Sequence, residues 1–570
     1  MNVEAGFTVG ERAGYVIKVE AGKVHEAADA GNAALIRAGC HIYQRGGQLV
    51  RPAMIAARAS DGAKIETPGI VAATPPMLQR ELGRVARWEK AGRKGGRVRC
   101  NPSADAIAQI LAMAGEWPFP VLAATISTPT MRRDGSLLTA EGFDTATGLM
   151  LLGPPAMPPI PDWPSKEDAR RALVLLAELL RDFPFVSDGA RAVALSMLLT
   201  PVLRVACCAA VPMHVATAPE AGTGKSYLAD VAAAIATGAR CPVVAQSRDP
   251  EELEKRLGGL LIEGAPIICI DNVNGILGGD FLCQMIERPS IRVRPLGTSQ
   301  SLLIPNTVCV FANGNNLRVA GDLVRRVLVA ELDADAEAPE TRTFSGDPVA
   351  AVLADRGCYV AAVLTIARAY VVAGRPDRLS PMPSFGAWSD LVRSALVWLG
   401  CADPVATVTT ARAEDPQRQA FAAVMEAWPT DQLAYTTAEL LDRATATAFS
   451  GQLVRPEWLA AVQAVATDRR GQLSAVVLGN WLRNHKDKRA GAWKLVRTGT
   501  ATRPLWGRED VGGSRARGGG SSHARKKHGE SQEELGGPAP QPRPAPHNGD
   551  ARDDGGEAGA AGDPNAGVVI

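Results

Sequence analysis

The chain has 570 residues, of which 46% are apolar, and its formal net charge is +2. This length suffices for about three or four domains, and the near-zero net charge indicates no general preference for a polyanionic partner. Ten cysteines are scattered without a C-x-x-C pair or a Cys/His cluster at zinc spacing, which predicts free thiols in a reducing compartment. Residues 1–20 lack the apolar core of a signal peptide, and prolines and charges interrupt the most apolar region, 193–218. We therefore expect a cytoplasmic protein with no membrane span.

Residues 1–160 are predicted to form a small α+β module. Helical periodicity covers 23–38 and 104–114, Gly46-Gly47 indicates a hairpin, and short apolar runs predict a β-rich segment over 121–152. The basic, glycine-containing stretch 87–99 favours a solvated loop over a nucleic-acid contact. No carboxylate cluster in this module resembles a metal site, so the residues do not indicate its role. A proline-rich linker, 153–164, follows.

The most specific pattern is a strand, a glycine-rich turn and a helix, predicted at 213–218, 219–224 and 225–237. Glycines allow backbone N–H groups to turn inward around phosphates, and the start of a helix adds partial positive charge. Lys225 can reach the β- and γ-phosphates of ATP, and the Ser226 hydroxyl can bind Mg²⁺. Proline replaces the usual first glycine, but its φ suits a turn. The predicted phosphate-binding residues are Pro219, Glu220, Ala221, Gly222, Thr223, Gly224, Lys225, Ser226 and Tyr227.

The elements around this loop predict the rest of an ATPase core over 165–345. Helices are expected at 165–182 and 188–200, a short strand at 241–245, and a helix that begins after Asp249. The apolar strand 266–272 contains Asp271, which would hold Mg²⁺ through water at the carboxyl edge of a parallel sheet. Asn272 follows, where many such ATPases carry the glutamate that activates water. An amide can orient water but cannot take its proton, which predicts slow hydrolysis or another base, such as Glu263 or Glu251.

Three further features follow this strand. Residues 291–297 and 300–304 alternate like a hairpin, on which Arg292 and Arg294 contact DNA phosphates or are ordinary surface arginines. A strand over 307–312 ends at Asn313, whose amide can position the attacking water. Arg325 and Arg326 fit an arginine finger that acts across a subunit interface, with a surface basic pair as the alternative.

These motifs together resemble an AAA+ ATPase. They are Gly-Thr-Gly-Lys-Ser at 222–226, Ile-Cys-Ile-Asp-Asn at 268–272, Phe-Ala-Asn at 311–313 and Asp-Leu-Val-Arg-Arg at 322–326. More narrowly, residues 165–344 are similar to the superfamily 3 helicase modules of phage and plasmid replication proteins, often called primase-helicases. The departures are Pro219, Asn272 and the lack of a lysine at the hairpin tip, 297–299.

The resemblance implies a five-stranded parallel core and a homo-oligomeric ring, usually a hexamer, with Mg-ATP at the subunit interfaces. It assigns Lys225 and Ser226 to phosphate and Mg²⁺, and Asp271 to Mg²⁺. It assigns Asn313 to sensing, and Arg325 or Arg326 to the finger.

After the ATPase core, helices at 348–373, 384–399 and 415–428 predict a helical domain over 346–450. Helices from 456 and at 474–485, with strands at 493–496 and 503–506, predict a winged-helix-like domain over 455–506. Its basic residues form a candidate DNA-contact face: Arg483, Lys486, Lys488, Arg489, Lys494 and Arg497. Residues 507–570 are rich in Gly, Pro and Ala, which predicts a disordered tail.

The predicted fold class is therefore α/β, with a P-loop, AAA+-type parallel sheet between the N-terminal module and the helical and winged-helix-like regions. The leading hypothesis is an ATP-driven, helicase-like motor that acts on single-stranded or forked DNA in phage, prophage or plasmid replication. One alternative is a nucleotide-dependent DNA-binding or loader protein with slow hydrolysis and no unwinding. A second alternative is an ATPase that remodels proteins.

Overall fold

The computed structural model describes residues 15–58, 64–93, 95–207, 210–247, 249–295, 297, 301–468 and 470–511. The chain divides into two compact units, Met1–Gly512 and Gly513–Ile570. All elements given below belong to the first unit, and the second lies outside the described residues. The predicted start of a disordered tail at 507 is wrong, because Gly507 lies inside a strand, Pro504–Asp510, that pairs with its neighbour over seven residues. The remainder of that predicted tail, from 512, is outside the described residues.

The N-terminal elements form small sheets and helices: β1 (Val16–Val19), α1 (Val24–Arg37), β2 (Tyr43–Arg45), β3 (Gln48–Arg58), β4 (Lys64–Ala72), α2 (Pro75–Val85), β5 (Arg87–Ala91), β6 (Arg97–Cys100), α3 (Ala104–Ala112), β7 (Ala124–Ile126), β8 (Thr130–Met131), β9 (Leu137–Leu138), β10 (Gly142–Asp144) and β11 (Leu149–Leu151). The two predicted helices and the predicted hairpin of this region are confirmed. The predicted loop at 87–99 is wrong, because β5 and β6 pair as antiparallel strands with Trp88 opposite Cys100. Burial of Trp88 in the module's core fixes the strand there.

The central region contains the large parallel sheet. Its elements are α4 (Lys166–Glu178), α5 (Asp188–Leu203), β12 (Met213–Ala218), α6 (Lys225–Thr237), β13 (Val243–Ala245), α7 (Pro250–Glu263), β14 (Ile267–Asp271), β15 (Ile276–Leu277), α8 (Asp280–Glu287), β16 (Ser290–Val293), β17 (Leu302–Pro305), β18 (Cys309–Asn315), β19 (Arg318–Val319), a 3₁₀ helix (Gly321–Arg326) and β20 (Val327–Glu331).

Five of these strands make one parallel sheet in the order β13-β14-β18-β12-β20. The predicted five-stranded parallel core is confirmed. Its strands are apolar on both faces because helices cover both sides, and α6 buries a run of alanines against it. Parallel strands bring their carboxyl ends to one edge, so β12, β14 and β18 end close together.

Two details of this region differ from prediction. Asn313 lies within β18 and not at its end, because the strand continues to Asn315 alongside the chain that follows β14. The Val273 N–H donates to the Asn313 carbonyl at 2.9 Å, and a Cβ at Gly314 would lie 1.9 Å from the Val273 oxygen. The β16–β17 hairpin is confirmed, but Arg294 follows β16 and does not share the strand with Arg292. Positions 296 and 298–300 of the hairpin tip lie outside the described residues.

The C-terminal elements are a 3₁₀ helix (Pro339–Thr341), α9 (Pro348–Ala354), α10 (Arg356–Val372), α11 (Gly386–Trp388), a π-helical turn (Ser389–Arg393), α12 (Ser394–Trp398), a 3₁₀ helix (Pro404–Ala406), α13 (Thr407–Ala413), α14 (Pro416–Glu426), α15 (Thr437–Thr445), α16 (Pro456–Ala466), α17 (Ala475–His485), β21 (Arg489–Ala490), β22 (Trp493–Gly499) and β23 (Pro504–Asp510). β21, β22 and β23 form an antiparallel sheet.

The single long helix predicted over 348–373 is wrong. It is two helices, α9 and α10, that meet at 93° around Asp355, whose backbone leaves the helical conformation. The break lets Gly357 pack against the backbone of the linker, where a Cβ would lie 1.7 Å from the Ala156 oxygen. Among the described residues, no single helix has the length and apolar composition to cross a membrane, although the bent pair α9 and α10 meets both criteria together.

The predicted helical domain at 346–450 does not have a core of its own. The buried residues of α9 to α13 pack in the same cluster as the parallel sheet, whereas Phe421 and Leu440 pack with Trp458 and Trp506. The reason is that the helices before Glu414 cover the sheet, while α14 and α15 join the last helices and β22–β23. α14 and α15 therefore share a buried cluster with α16, α17, β22 and β23, and the predicted boundary at 455 stays a prediction.

Candidate active site

The turn between β12 and α6, residues 219–224, lies at the carboxyl edge of the parallel sheet. We call it the glycine-rich turn. Gly222 and Gly224 have φ values of 76° and 97°, which residues with a side chain rarely adopt. Asn316 ties the turn to the end of β18, because its N–H donates to the Ala218 carbonyl at 2.9 Å and its side-chain amide to the Pro219 carbonyl at 3.4 Å. The turn therefore forms with proline at its first position, and its last glycine caps α6.

Lys225 is the first residue of α6, and its side chain folds back over the glycine-rich turn. Its Nζ donates to the Glu220 carbonyl at 2.6 Å and to Thr223 Oγ1 at 2.9 Å. Burial lowers the pKa of Lys225, and the nearby Glu220 carboxylate opposes that shift. The ammonium therefore lies beside the glycine-rich turn at the N-terminus of α6. An anion bound there would contact both the lysine and the unpaired N–H groups of the first helical turn.

Three polar side chains from separate elements meet beside this lysine. The Ser226 hydroxyl, on the first turn of α6, lies 3.2 Å from Asp271 Oδ1 and 3.4 Å from Asn313 Oδ1. Asp271 is the last residue of β14, and Asn313 lies near the end of β18. The structure therefore brings together the predicted residues Lys225, Ser226, Asp271 and Asn313.

The amide of Asn313 is oriented by its neighbours. The backbone N–H of Asn272 donates to Asn313 Oδ1 at 3.3 Å. Because the amide nitrogen of Asn313 cannot accept this bond, the oxygen must be the atom that faces Asn272. Asn313 Nδ2 then donates to Cys269 Sγ at 3.3 Å. A hydrogen bond with the Cys241 thiol, together with burial, holds the pKa of Cys269 well above its usual value, so this sulfur remains a neutral thiol. Cys269 was not predicted, because no motif marks a buried thiol inside an apolar strand.

Asn272 itself lies on the rim of the site with φ 54°. This left-handed conformation is one that asparagine tolerates better than glutamate does. The local backbone therefore gives a physical reason for the departure from glutamate at this position. The exposed amide faces the same cleft as Asp271.

The cleft at this edge has a volume of about 600 Å³. Besides the predicted residues, Asp230 and Arg240 line it, and these were missed because they come from the middle of α6 and from a loop. Asp230 accepts from the Cys241 N–H at 3.0 Å and pairs with Arg240 at 2.5 Å. Neither Glu251 nor Glu263 lines the cleft, so neither alternative base is brought to it.

A segment after β20, residues 338–347, packs over the outer side of the glycine-rich turn. A Cβ on Gly222 would lie 2.9 Å from Glu340 Oε2 and 3.0 Å from the Glu340 backbone nitrogen. The Tyr227 hydroxyl donates to Asp347 at the other end of the segment. Burial and this bond raise the pKa of Tyr227 to about 12, so its hydroxyl stays a donor. Glu340 was not predicted, because the segment has no periodic pattern.

Arg325 and Arg326 lie at the end of the 3₁₀ helix and form ion pairs inside the chain. Arg326 is 5% exposed and pairs with Glu287 and Asp322, each at 2.6 Å, while Arg325 pairs with the same two acids and is 38% exposed. The Arg325 hydrogen bond lowers the pKa of Asp322 to about 2. Neither arginine lines the cleft of its own chain. A finger role across a subunit interface stays a prediction.

The candidate DNA-contact residues occupy two places. Arg292 is exposed on β16, and Arg294 follows it. The others gather at the end of α17 and on the strands after it, where Arg489 lies opposite Lys494 and Asp487 pairs with Lys494 at 3.1 Å and with Lys486 at 3.7 Å. Arg483, Lys488 and Arg489 are exposed. The structure thus brings this second set to one region, together with two acids, Asp487 and Glu509, the second of which lies opposite Lys494.

No protein-family model matches the chain, and no curated protein matches it. Among solved structures, it is similar to the NrS-1 C-terminal region, with 12% identity over 79% of this chain and 94% of that chain and a TM-score of 0.32. It is similar to the active helicase SCCmec type IV Cch, with 12% identity over 83% and 97% and a TM-score of 0.33. It is also similar to JCV helicase, with 14% identity over 43% and 73% and a TM-score of 0.19. At these TM-scores the matches carry no argument about function, which has to be argued from the side chains.

Proposed function

We propose that this protein binds and hydrolyses ATP in a P-loop site and uses it to act on DNA as a helicase-like motor. The observation that carries the proposal is the Ser226 hydroxyl, which lies 3.2 Å from Asp271 at the start of a helix that follows a glycine-rich turn. A hydroxyl, a carboxylate, a buried lysine and free helix N–H groups at one point are what a nucleoside triphosphate with its metal requires.

The residues fit Mg²⁺ as well as phosphate. Ser226 and Asp271 offer the oxygen ligands that this ion prefers, and within the described ranges no group of three acids, histidines or cysteines competes for a metal. That sparse set suits an ion that takes its other ligands from phosphate and water. Bound Mg²⁺ would supply neutralising charge for the phosphates, while Lys225 would exchange its contacts with Glu220 and Thr223 for phosphate oxygens.

Asn313 and Asn272 are the groups that can orient the attacking water. The carboxylates that line the cleft are Asp271 and Asp230, and both are occupied by partners in the described structure. The described residues that line the cleft therefore offer amides, and no free carboxylate, to take the proton from the attacking water. This supports slow basal hydrolysis that requires a further event, such as DNA binding or contact with a second copy.

DNA is the proposed partner because basic residues cluster around α17 and β22, beyond the three helices α15, α16 and α17. Helices followed by an antiparallel hairpin support a winged-helix-like domain, and its exposed cations suit phosphate contacts. Assembly into a homo-oligomeric ring and a role in phage or plasmid replication follow from the resemblance alone. Both belong to the proposal.

The test is ATP hydrolysis and strand separation by the full chain, with and without single-stranded and forked DNA. Ser226→Ala should lower turnover while the melting temperature stays near that of the natural protein. Hydrolysis that DNA stimulates, with unwinding, supports the motor. DNA-dependent binding without unwinding supports the loader alternative instead, and hydrolysis that ignores DNA but responds to an unfolded protein supports the remodelling alternative.

A further inference from the structure

Among the described residues, the sheet β1-β5-β6 has one packed face and one open face. Ile17 and Trp88, neighbours across β1 and β5, are each 1% exposed and pack against the helices of the module. Side chains alternate along a strand, so the residues on either side of Ile17 and Trp88 point away from that core. We call the surface that they form the open face.

Strand register brings cations together on the open face. Lys18 lies beside Glu89, and Glu89 lies beside Arg99, so a cation flanks this acid on each side. The same register places Val16 beside Arg87, and Ala91 beside Arg97. The open face therefore consists of Val16, Lys18, Arg87, Glu89, Ala91, Arg97 and Arg99, and all of these except the half-buried Glu89 are exposed.

The two carboxylates at this surface do not neutralise it. Arg97 pairs with Glu20, which follows β1, and Arg87 pairs with Glu89 at 2.8 Å. Both arginines remain at least 36% exposed. Ion pairs at such exposure contribute little free energy, so a phosphate can replace the carboxylate as the partner of either arginine. Lys18 and Arg99 add two further cations, so positive charge exceeds negative charge across the sheet.

We propose that the open face binds the sugar–phosphate backbone of DNA without reading its sequence. Cations spaced along and across a sheet match a chain of phosphates, and the absence of an aromatic residue among the seven that form the face argues against base stacking. This binding site is separate from the nucleotide site and from the basic cluster near α17. It gives the N-terminal module a role that its sequence does not indicate.

The test compares two double variants of the full chain that each remove two positive charges from this module. Lys18→Ala with Arg99→Ala alters the open face, and Arg37→Ala with Arg80→Ala alters exposed positions on α1 and α2. Binding of a fluorescent oligothymidylate is measured by anisotropy across a NaCl series, and thermal melting checks folding. The first variant should bind several-fold more weakly at low salt, with a salt slope lower by about 1.4, the value for two phosphate contacts on a single strand. The second should match the natural protein.

A second measurement follows the face directly. Reductive methylation of Lys18 should slow when the oligonucleotide is bound. Lys90, whose side chain lies on the other face of β5, serves as the reference and should react at an unchanged rate. Equal losses in the two double variants, or an unchanged methylation rate at Lys18, would overturn the proposal. Protection of Lys18 by polyglutamate as strong as by DNA would also overturn it, because the face would then be a general anion surface. Basal ATP hydrolysis should be the same in all of these variants, so failure here is distinguishable from failure of the nucleotide site.

Discussion

The Ser226 hydroxyl lies 3.2 Å from Asp271 Oδ1, although the two residues are 45 positions apart in the chain. Ser226 comes from the start of α6 and Asp271 from the end of β14, and β18 lies between β12 and β14 in the sheet. Asn313 on β18 connects the other two segments, because its Oδ1 accepts from Ser226 Oγ and from the Asn272 N–H. These contacts join the start of α6 to the proposed metal ligand Asp271 and to the amide that we propose orients water.

The first prediction concerns the orientation of Asn313. Cys269→Ala removes the sulfur that accepts from Asn313 Nδ2, so the amide loses one of the contacts that hold its oxygen toward Ser226. We expect kcat for ATP hydrolysis to fall by about threefold to tenfold, while the KM for ATP changes little. The fall is smaller than the roughly 10²–10³ that complete loss of a preorganised group costs, because Asn313 itself remains. Cys269→Ser, which keeps an acceptor, should restore most of the rate.

The control for this prediction is Cys309→Ala. Cys309 is also a buried cysteine of the same sheet, at the start of β18, and is 1% exposed, but it does not contact Asn313. Both alanine variants should lose similar stability in thermal melting. If Cys309→Ala lowers kcat as much as Cys269→Ala does, the thiol acts through packing and not through the amide.

The second prediction concerns Asn272, where the chain lacks a base. Asn272→Glu introduces a carboxylate beside Asp271, and we expect basal hydrolysis to rise by about tenfold, less than the 10²–10⁴ that a well-placed base contributes. The smaller gain reflects the left-handed backbone at φ 54°, which costs glutamate about 1 kcal/mol. The measurement is steady-state ATP turnover without DNA.

Asn272→Gln is the matched variant, because it has the length and the backbone strain of glutamate without a carboxylate. It should not exceed the natural rate. A lower rate for Asn272→Glu than for Asn272→Gln would mean that another acid already takes the proton and that the added charge disturbs the metal.

The third prediction separates Arg325 from Arg326. Arg326→Ala leaves Glu287 with only the more exposed Arg325 as its partner, so it should lower the free energy of unfolding by about 2 kcal/mol and reduce activity through unfolding. Arg325 is far more exposed, so Arg325→Ala should keep its melting temperature and lower ATP turnover while nucleotide binding remains. Thermal melting and turnover are measured on both.

Mixing subunits tests whether Arg325 acts on a neighbour. Arg325→Ala protein mixed with Lys225→Ala protein should regain part of the activity, because some interfaces would combine an intact lysine with an intact arginine. Mixtures that never exceed the separate proteins would remove the finger role. Arg325 would then be only a partner of Asp322.

The fourth prediction concerns His214 on β12, which is fully buried with Nε2 3.0 Å from the Ser196 hydroxyl. Burial lowers the pKa of His214 to about 3, while an unfolded histidine titrates near 6.5. Between these values the unfolded chain binds the extra proton, so stability falls as pH decreases from about 6.5 toward 3. His214→Gln removes this loss, which amounts to about 2 kcal/mol between pH 7 and pH 5.

Melting temperatures at pH 7 and pH 5 check this sign. The melting temperature should fall less between pH 7 and pH 5 in His214→Gln than in the natural protein. In His25→Gln, which changes an exposed residue of α1, it should fall as much as in the natural protein. An equal drop in all three proteins would mean that other groups control the acid response.

Local patterns were sufficient to predict the elements around the glycine-rich turn. The bounds of β12 and α6 agree with prediction because an apolar run, two glycines and a helix start follow one another directly in the chain. Lys225, Ser226 and Asp271 could be assigned for the same reason, since each sits next to such a boundary. The parallel sheet could be predicted because its central strands are continuous apolar runs, which is typical of strands that are buried on both faces.

The remaining errors come from contacts between distant segments. The break at Asp355 depends on the linker backbone at Ala156, and no local signal marks it. Arg240 and Glu340 come close to the glycine-rich turn and its cleft only through folding of a loop and of the segment 338–347. The stretch 87–99 contains three glycines that suggest a loop, but pairing with β1 and burial of Trp88 make strands of its two ends.

The most direct test of the central claim is ATP turnover by the full chain, with and without single-stranded DNA, in the natural protein and in Lys225→Ala. Loss of a positioned lysine that stabilises phosphoryl charge costs several kcal/mol, so turnover should fall by about 10²–10³-fold. Lys255→Ala, which removes an exposed lysine of α7, should retain the natural rate and its stimulation by DNA. Turnover in Lys225→Ala equal to that of the natural protein would contradict the account, because hydrolysis would then not occur at the glycine-rich turn.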